Sequence, residues 1–347
     1  MLPSKTYRAL IAIMICIGSA CIACAQQVES LYINDLRPGS TVLVITNRVV
    51  QDTGTGLHFP NEIRKKPGLQ LLETTFYQPD SLEVKRISAE NFYTQVQSAG
   101  NDWVLFVHGD SKTFEQAVMR GFDIQHLHRV NVIVFSWPSR DPELGGVKNF
   151  KNSKEQVIES LDHFIALLDF VQSLKKSDPD YWDEHNLSCF IHSLGNYYLE
   201  NIVKSNLMKR LKGVLFDNLI LNAAAVNQDG HPEWLDKLHM QNRIYVISNK
   251  QDFNLKGVRI FTKDGKQLGE KVKHPLSGNA TYIQFTKAVG FRFPTGTTHT
   301  YFIGQMADKS MNIRRFYTEI LHGEPADLED GSLFEKRNDG LGYDLIK

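Results

Sequence analysis

Three short apolar runs constrain the fold of this chain more than any other feature. Residues 103–107, 130–135 and 187–191 are dominated by valine, leucine, isoleucine and phenylalanine, and each run stops at a histidine or a serine. Apolar runs of this length are typical of strands that are buried on both faces of a parallel sheet. We therefore predict that all three runs are strands of such a sheet.

Segments with apolar residues at helical spacing lie between these runs and after them. The predicted helices cover residues 111–127, 156–174, 196–211 and 308–321. Further β-branched or apolar runs predict strands at residues 41–46, 69–77, 215–221, 243–248 and 282–286. Because strands alternate with helices, the sequence predicts an α/β fold with a doubly wound, mostly parallel sheet flanked by helices.

Charge and length limit the class of protein and the number of domains. The 347 residues include 39 Lys plus Arg and 39 Asp plus Glu. Nucleic-acid binders normally carry a basic surface, so we expect no nucleic-acid partner. The chain contains no long linker rich in glycine, proline or serine, which predicts one folded domain at residues 41–322. An extension at residues 26–40 would precede this domain, and a polar, loosely packed tail would follow it at residues 323–347.

The first 25 residues resemble a secretory signal. Lys5 and Arg8 precede an uncharged apolar stretch at residues 9–23, and the stretch ends in the small residues Ala23 and Ala25. This stretch is shorter than the roughly 20 residues that a membrane-spanning helix needs. We predict a cleaved signal peptide at residues 1–25, with an uncleaved anchor as the alternative. The protein would then be exported to the periplasm, the cell envelope or the medium.

The positions of the cysteines follow from this prediction. Cys16, Cys21 and Cys24 lie within or at the end of the signal, so the mature chain would retain only Cys189. An exported protein with one cysteine has no intramolecular disulfide. Lipid anchoring through Cys21 or Cys24 is an alternative to free secretion.

Residues 191–196, with the sequence Ile-His-Ser-Leu-Gly-Asn, follow a predicted buried strand and open a predicted helix. This is the context of a nucleophile elbow, in which a tight turn presents a serine hydroxyl above the edge of the sheet. Ser193 is the candidate nucleophile. Gly195 fits the usual small position two residues after the serine, whereas Ile191 is bulkier than the residue expected two positions before it. The alternative role of Ser193 is to cap the helix.

The strand at residues 103–107 ends in His108 and Gly109, followed by Asp110. In the elbow architecture, the loop after this strand supplies one oxyanion N–H and the residue after the serine supplies the other. We therefore predict an oxyanion hole formed by the N–H groups of Asp110 and Leu194. The predicted substrate-pocket residues are His108, Gly109, His192 and Trp137. The alternatives are a plain turn with a structural His108, and a packed aromatic corner at Trp137.

A nucleophilic serine needs a histidine base and an acid that orients it, and the order expected in this architecture is serine, acid, histidine. Asp252 follows the predicted strand at residues 243–248 and is the preferred acid, with Asp229 as the second choice. His299 follows the last predicted strand of the domain and is the preferred base. The competing histidines are His231, His239, His274 and His322.

These motifs together resemble the alpha/beta-hydrolase superfamily, and more narrowly a bacterial branch catalogued as a hydrolase-like domain of unknown function. The resemblance rests on residues 45–48, 106–109, 135–139 and 192–196, and on His299 with Tyr301. It spans about residues 41–306. The resemblance implies a triad of Ser193, Asp252 and His299, and it does not imply a defined substrate. Hydrolysis by such a triad would need no cofactor and no metal.

Two functions remain open from the sequence. The first is an exported serine hydrolase that cleaves an ester-type bond of a small acyl substrate, with residues 250–298 as a hypothetical cover over the site. The second is a non-catalytic binding or structural protein on the same fold. Three departures motivate the second: Ile191, Asp110 where the branch usually has an aromatic residue, and Ala225 where it usually has an aspartate.

Overall fold

The computed structural model describes residues 35–347 apart from residues 67, 79–80, 263 and 292–294. The predicted signal at residues 1–25, with Cys21 and Cys24, and most of the predicted extension lie outside the described residues. Within the described ranges, none of the helices is long and apolar enough to cross a bilayer.

One sheet of eleven strands organises the described chain, and a separate two-stranded hairpin lies beside it. The strands are β1 (Ser40–Thr46), β2 (Gln51–Asp52), β3 (Leu57–His58), β4 (Gln70–Gln78), β5 (Ser81–Arg86), β6 (Trp103–Val107), β7 (Asn131–Ser136), β8 (Leu187–His192), β9 (Phe216–Asn222), β10 (Gln241–Ser248), β11 (Thr281–Gln284), β12 (Phe334–Lys336) and β13 (Tyr343–Leu345). The large sheet has the order β12-β13-β11-β10-β9-β8-β6-β7-β1-β4-β5, and the small one pairs β2 with β3.

Helices flank the sheet. They are α1 (Ala89–Gln97), α2 (Phe114–His128), α3 (Gly146–Glu159), α4 (Leu161–Ser177), α5 (Pro179–Glu184), α6 (Asn196–Lys204), α7 (His231–Leu235), α8 (Phe253–Thr262), α9 (Thr286–Val289), α10 (Gly304–Lys309) and α11 (Met311–Leu321). Helices α2 and α11 pack together, and α3, α4 and α6 form a second packed group. The predicted fold class is confirmed: the large sheet is mostly parallel, and among its described strands only the pairs β1–β4, β4–β5 and β12–β13 are antiparallel.

The strand order changes direction at β6, which lies between β7 and β8. The chain passes from β6 to β7 on one side and returns to β8 on the other side. Val107 pairs with Phe135 of β7 and with Ile191 of β8, so three strands end side by side at one edge. Ligands of open α/β sheets bind at such a switch point.

The three apolar runs form the centre of the sheet, as their sequences predict. Every residue of β6 and β8 is buried. Phe106 and Phe190 lie on these adjacent strands with ring centroids 5.8 Å apart, and Phe302 packs edge-on against Phe190 at 4.8 Å. Aromatic pairs at these distances add to the burial energy, so the core continues directly beneath the switch point.

Three predicted helices are shorter or divided in the structure. The predicted helix at residues 156–174 is two helices that meet at Ser160, whose hydroxyl bonds to the Gln156 carbonyl and to the Tyr198 hydroxyl. The predicted helix at residues 196–211 ends at Lys204, because Asn206 has a left-handed φ of 59°. The closing helix begins only at Met311, where Ser310 caps it.

The prediction of a loosely packed tail at residues 323–347 is wrong. Strands β12 and β13 extend the main sheet beyond β11. Leu333 and Leu345 are fully buried. Arg337 donates from Nη1 to Asp344 and to Gln284 of β11, which fastens the tail to the sheet.

An ion pair joins the end of α11 to the start of the central strand. His322 donates from Nδ1 to Asp102 Oδ2 at 2.7 Å and from Nε2 to the His128 carbonyl at 3.1 Å. A histidine that donates from both nitrogens is protonated. The hydrogen bond to Asp102 accordingly raises the pKa of His322 above its ordinary value.

This pair predicts a pH-dependent stability. Because the folded-state pKa is raised, the contribution is complete below the ordinary histidine pKa of about 6.5 and is lost as the pH rises through the folded-state pKa. We expect His322→Gln to lower the free energy of unfolding by about 1 kcal/mol near pH 6, and by less near pH 9. Urea denaturation at both pH values measures the difference, with the exposed His239→Gln as the control. An equal loss at both pH values would contradict this assignment.

Candidate active site

Ser193 occupies a strained turn at the end of β8. The strand ends at His192, a 3₁₀ turn covers Ser193–Gly195, and α6 begins at Asn196. Ser193 has a φ of 52°, a left-handed conformation that costs a residue with a side chain about 1–2 kcal/mol. The residue is 7% exposed. Strain of this kind at a strand-to-helix turn is the geometry of a nucleophile elbow.

Two glycines let the elbow fit against the loop after β6. A Cβ atom on Gly109 would lie 2.7 Å from the Ser193 Cβ. A Cβ atom on Gly195 would lie 2.8 Å from the His108 carbonyl oxygen and 3.1 Å from Cγ2 of Ile191. The distances of 2.7 and 2.8 Å are too short for a Cβ atom, and the distance of 3.1 Å is tighter than most Cβ contacts. The bulk of Ile191 is therefore accommodated because the facing position is glycine.

His299 and Asp252 form a buried hydrogen-bonded pair. His299 Nδ1 donates to Asp252 Oδ2 at 2.6 Å, and Asp252 is fully buried. The other carboxylate oxygen accepts the backbone N–H of Leu255 in the first turn of α8, at 3.0 Å. Asn249 Nδ2 also donates to the Thr298 carbonyl at 2.8 Å, which ties the loop of the acid to the turn that precedes the histidine. The pair is thus fixed from both sides.

The pair lies next to the elbow. The rings of His299 and His192 have centroids 4.7 Å apart, and His192 directly precedes Ser193. Among the described residues, the Ser193 hydroxyl makes no hydrogen bond, including none to His299. In serine hydrolases this contact is often long until substrate binds. The structure therefore brings the three predicted triad residues to one edge of the sheet.

The competing acid and base candidates lie in other environments. Asp229, His239 and His274 are exposed. His231 is bonded to the Gln228 carbonyl and the Tyr282 hydroxyl, and His322 is paired with Asp102.

The Asp110 carboxylate is held by neighbouring donors. Its Oδ1 accepts from Ser153 Oγ at 2.6 Å and from Asn149 Nδ2 at 2.8 Å, and its Oδ2 accepts from Ser111 Oγ at 3.0 Å. Burial nevertheless raises the pKa of Asp110, because it disfavours the charged form. The Asp110 N–H, one of the two predicted oxyanion donors, has no backbone acceptor among the described residues. The side chain thus anchors the loop to α3 and leaves this N–H available.

Two of the predicted pocket residues, His108 and Trp137, are completely buried behind this loop. The backbone N–H of Trp137 donates to His108 Nε2 at 3.1 Å, and the indole N–H of Trp137 donates to the His108 carbonyl at 2.8 Å. The rings of the two residues stack. His108 Nδ1 donates to the Gly109 carbonyl at 2.8 Å. The aromatic-corner alternative describes Trp137 better than a pocket-lining role, and both side chains support the loop.

A buried arginine joins three segments under the site. Arg48 donates from Nη2 to the Trp137 and Lys112 carbonyls at 2.6 and 2.9 Å, and from Nε to Ser136 Oγ at 3.1 Å. Burial lowers the pKa of Arg48 to about 10. These contacts hold the ends of β1 and β7 against the loop that contains Asp110.

Several residues of the site carried no sequence signal for their role. Asn149 and Ser153 hold the Asp110 loop from a helix far along the chain. Asn222 and Tyr317 bond to each other beside His192. Ala225, which replaces the aspartate usual in the branch, is buried and donates its N–H to the Ser193 carbonyl at 3.1 Å.

A cavity of about 440 Å³ lies between α10, the N-terminus of α11 and the turn before His299. Its described lining includes Thr297, Met306, Lys309 and Asn312, and it does not include Ser193.

Residues 250–298, the hypothetical cover, are not one separate lid, because β11 within them belongs to the sheet. Helix α8 of this segment exposes Ile260 and Phe261.

Comparison with known proteins adds one match. A family model described as an alpha/beta hydrolase of unknown function (DUF900) matches residues 85–284, which is more than half of the chain. The matched region includes the elbow and Asp252, and His299 lies beyond its end. No curated protein and no solved structure matches the chain.

Proposed function

The chain belongs to this family of alpha/beta hydrolases, and we propose that it is a serine hydrolase that cleaves an ester-type acyl bond through an acyl-enzyme. The observation that carries the proposal is the 2.6 Å hydrogen bond between His299 and the buried Asp252, beside a serine with a left-handed backbone. A base, its orienting acid and a serine elbow are the parts that this chemistry requires.

In the first half-reaction, Ser193 Oγ attacks the acyl carbonyl and His299 Nε2 takes its proton. Asp252 keeps the proton of the neutral ring on Nδ1, so that Nε2 is free to act as the base, and then stabilises the imidazolium. The N–H groups of Asp110 and Leu194 bind the oxyanion of the tetrahedral intermediate.

The intermediate collapses when the bond to the leaving oxygen breaks and His299 returns the proton to that oxygen. The alcohol departs and the acyl group remains on Ser193. In the second half-reaction, water attacks the acyl-enzyme, His299 takes a proton from the water, and the carboxylic acid leaves as the serine hydroxyl re-forms.

We also propose that the mature protein is exported and begins at Gln26, and that its substrate is a small molecule and not a nucleic acid. The basic and apolar pattern of residues 1–25 and the balanced charge support this proposal. Mass spectrometry of the protein from fractionated cells would test export. A mature N-terminus at Gln26 is expected, whereas a lipid-modified mass beginning at Cys21 or Cys24 would support anchoring.

Burst kinetics test the proposed reaction directly. Chromogenic esters, amides and thioesters of short acyl groups are mixed with the protein, and release of the first product is followed. A burst of about one equivalent per chain is expected for at least one activated ester, because its acylation is faster than deacylation and the acyl-enzyme accumulates. Product release no faster than in buffer across the whole panel would favour the non-catalytic alternative.

The contacts of Asp110 predict the behaviour of its variants. Asn in place of Asp110 retains an acceptor for Ser153 and Asn149, so we expect kcat to stay within a few-fold of the wild type. Alanine removes all three side-chain contacts, and we expect kcat to fall by about 10–100-fold as the oxyanion loop loses its anchor. Steady-state kinetics of the two variants measure the difference. Equal activity of Asp110→Ala and wild type would show that the loop needs no such anchor.

A further inference from the structure

A chain of three buried polar side chains leads to the residue before the nucleophile. Tyr317 on α11 donates from its hydroxyl to Asn222 Oδ1 at 2.5 Å. Asn222, at the end of β9, donates from Nδ2 to His192 Nδ1 at 3.1 Å. An amide nitrogen only donates, so His192 Nδ1 is the acceptor and the proton of the neutral ring is on Nε2.

The surroundings of His192 keep its ring neutral. The residue is 1% exposed, and its ring packs 4.7 Å from the His299 ring and 5.1 Å from the Phe302 ring. Burial, with the charge of His299 as the next cause, holds the pKa of His192 well below its ordinary value. A neutral imidazole with a proton on Nε2 is a hydrogen-bond donor at that atom.

This donor is unused within the protein. His192 Nε2 makes no hydrogen bond to any described residue. It is also not among the described side-chain atoms that are both inaccessible to solvent and without a hydrogen-bond partner. Both ring nitrogens of His163, by contrast, are inaccessible to solvent and have no hydrogen-bond partner among the described residues. The unused N–H of His192 therefore lies where a molecule in the site can reach it.

We propose that His192 donates a hydrogen bond from Nε2 to an oxygen of the acyl substrate, and that Asn222 and Tyr317 are positioning residues that fix this tautomer. The inference rests on the proposed function. Because the His192 ring contacts the ring of His299, which protonates the leaving oxygen, we place the accepted oxygen on the leaving-group side of the substrate.

The tautomer can be measured independently of activity. In ¹⁵N NMR of the full chain with labelled histidine, the signal lost in His192→Gln identifies the ring of His192. We expect an unprotonated Nδ1 and a protonated Nε2 at neutral pH. In Asn222→Asp, a carboxylate replaces the amide donor, so the single proton of the neutral ring should move from Nε2 to Nδ1 and leave Nε2 without a proton to donate. A protonated Nδ1 in the wild type would overturn the inference.

Kinetics test whether the donor is used. Loss of one donor to the reacting group typically costs about 10²–10³-fold in kcat, so we expect Asn222→Asp and His192→Leu to lose about 100-fold and Tyr317→Phe to lose less. His192→Gln, which retains a donor, should be more active than His192→Leu. Tyr282→Phe is the matched control, because it also removes a buried hydroxyl bonded to a histidine, His231. Its kcat should not change.

The outcomes separate the two proposals. If the wild type forms no Ser193-dependent covalent adduct, the proposed hydrolase function is overturned. If the wild type is active and Asn222→Asp moves the proton to Nδ1 with no loss of kcat, only the role of His192 is overturned. Circular dichroism of each variant at the assay temperature identifies rate losses that come from unfolding.

Discussion

Replacing Ser193 by alanine is expected to lower kcat for ester hydrolysis by about 10⁴–10⁶-fold. Removal of the nucleophile eliminates the acyl-enzyme route and leaves only the catalysis supplied by the oxyanion hole and substrate binding. Alanine is as constrained as serine at a φ of 52°, so the elbow itself should be retained. Initial rates on the best ester of the panel measure the loss.

Ser188→Ala is the matched control for this variant. Ser188 is fully buried on β8, the strand that ends directly before Ser193, and donates from Oγ to the Ile320 carbonyl at 3.0 Å. Its loss should cost about 1 kcal/mol of stability and leave kcat unchanged. Ester hydrolysis that is equally fast in wild type and Ser193→Ala would mean that another group performs the chemistry.

The second large effect is expected for Asp252→Asn, which should lower kcat by about 10⁴-fold. Asp252 Oδ1 accepts the Leu255 N–H, so the amide oxygen of an asparagine would occupy that position. The amide nitrogen would then face His299 Nδ1. His299 would have to present an unprotonated Nδ1, and its proton would move to Nε2, the atom that must accept the proton of Ser193.

This argument also predicts how activity varies among variants of the two acid candidates. Asp229→Asn, which changes the exposed second candidate, should leave kcat unchanged. Steady-state kinetics of both variants at the pH optimum of the wild type provide the comparison. If Asp252→Asn were fully active while Asp229→Asn was not, the acid would have been assigned to the wrong residue.

The central part of the fold was predictable from the sequence because the relevant signals are local. Apolar runs specify buried strands wherever the sheet is covered on both faces, and β6 occupies the predicted residues 103–107 without any shift. The elbow at Ser193 was equally readable, since its turn is encoded within six residues.

Features that depend on distant partners were not predictable. The break between α3 and α4 involves Ser160 and the Tyr198 hydroxyl, which lie 38 residues apart. Strands β12 and β13 contain only three residues each, and their position becomes evident only because β13 pairs with β11 and β12 pairs with β13. Strands this short have weak intrinsic signals, because tertiary context decides their state.

The candidate site likewise contains residues with local sequence signals and residues whose roles depend on distant partners. The candidate acid and the candidate base could be chosen from chain order, since Asp252 follows β10 and His299 follows β11. Their supporting residues could not, because Tyr317 and Asn222 are 95 positions apart and Asn149 is 39 positions from Asp110. A single sequence contains no signal that pairs such residues.

Labelling with a fluorophosphonate probe tests the central claim most directly, because it requires an activated serine and no knowledge of the substrate. Wild type, Ser193→Ala and Ser188→Ala are incubated with the probe, and the modified peptide is identified by mass spectrometry. We predict one adduct per chain, located on Ser193, in the wild type and in Ser188→Ala, and none in Ser193→Ala. An unlabelled wild-type protein, or labelling that persists in Ser193→Ala, would contradict the assignment of Ser193 as the nucleophile of a serine hydrolase.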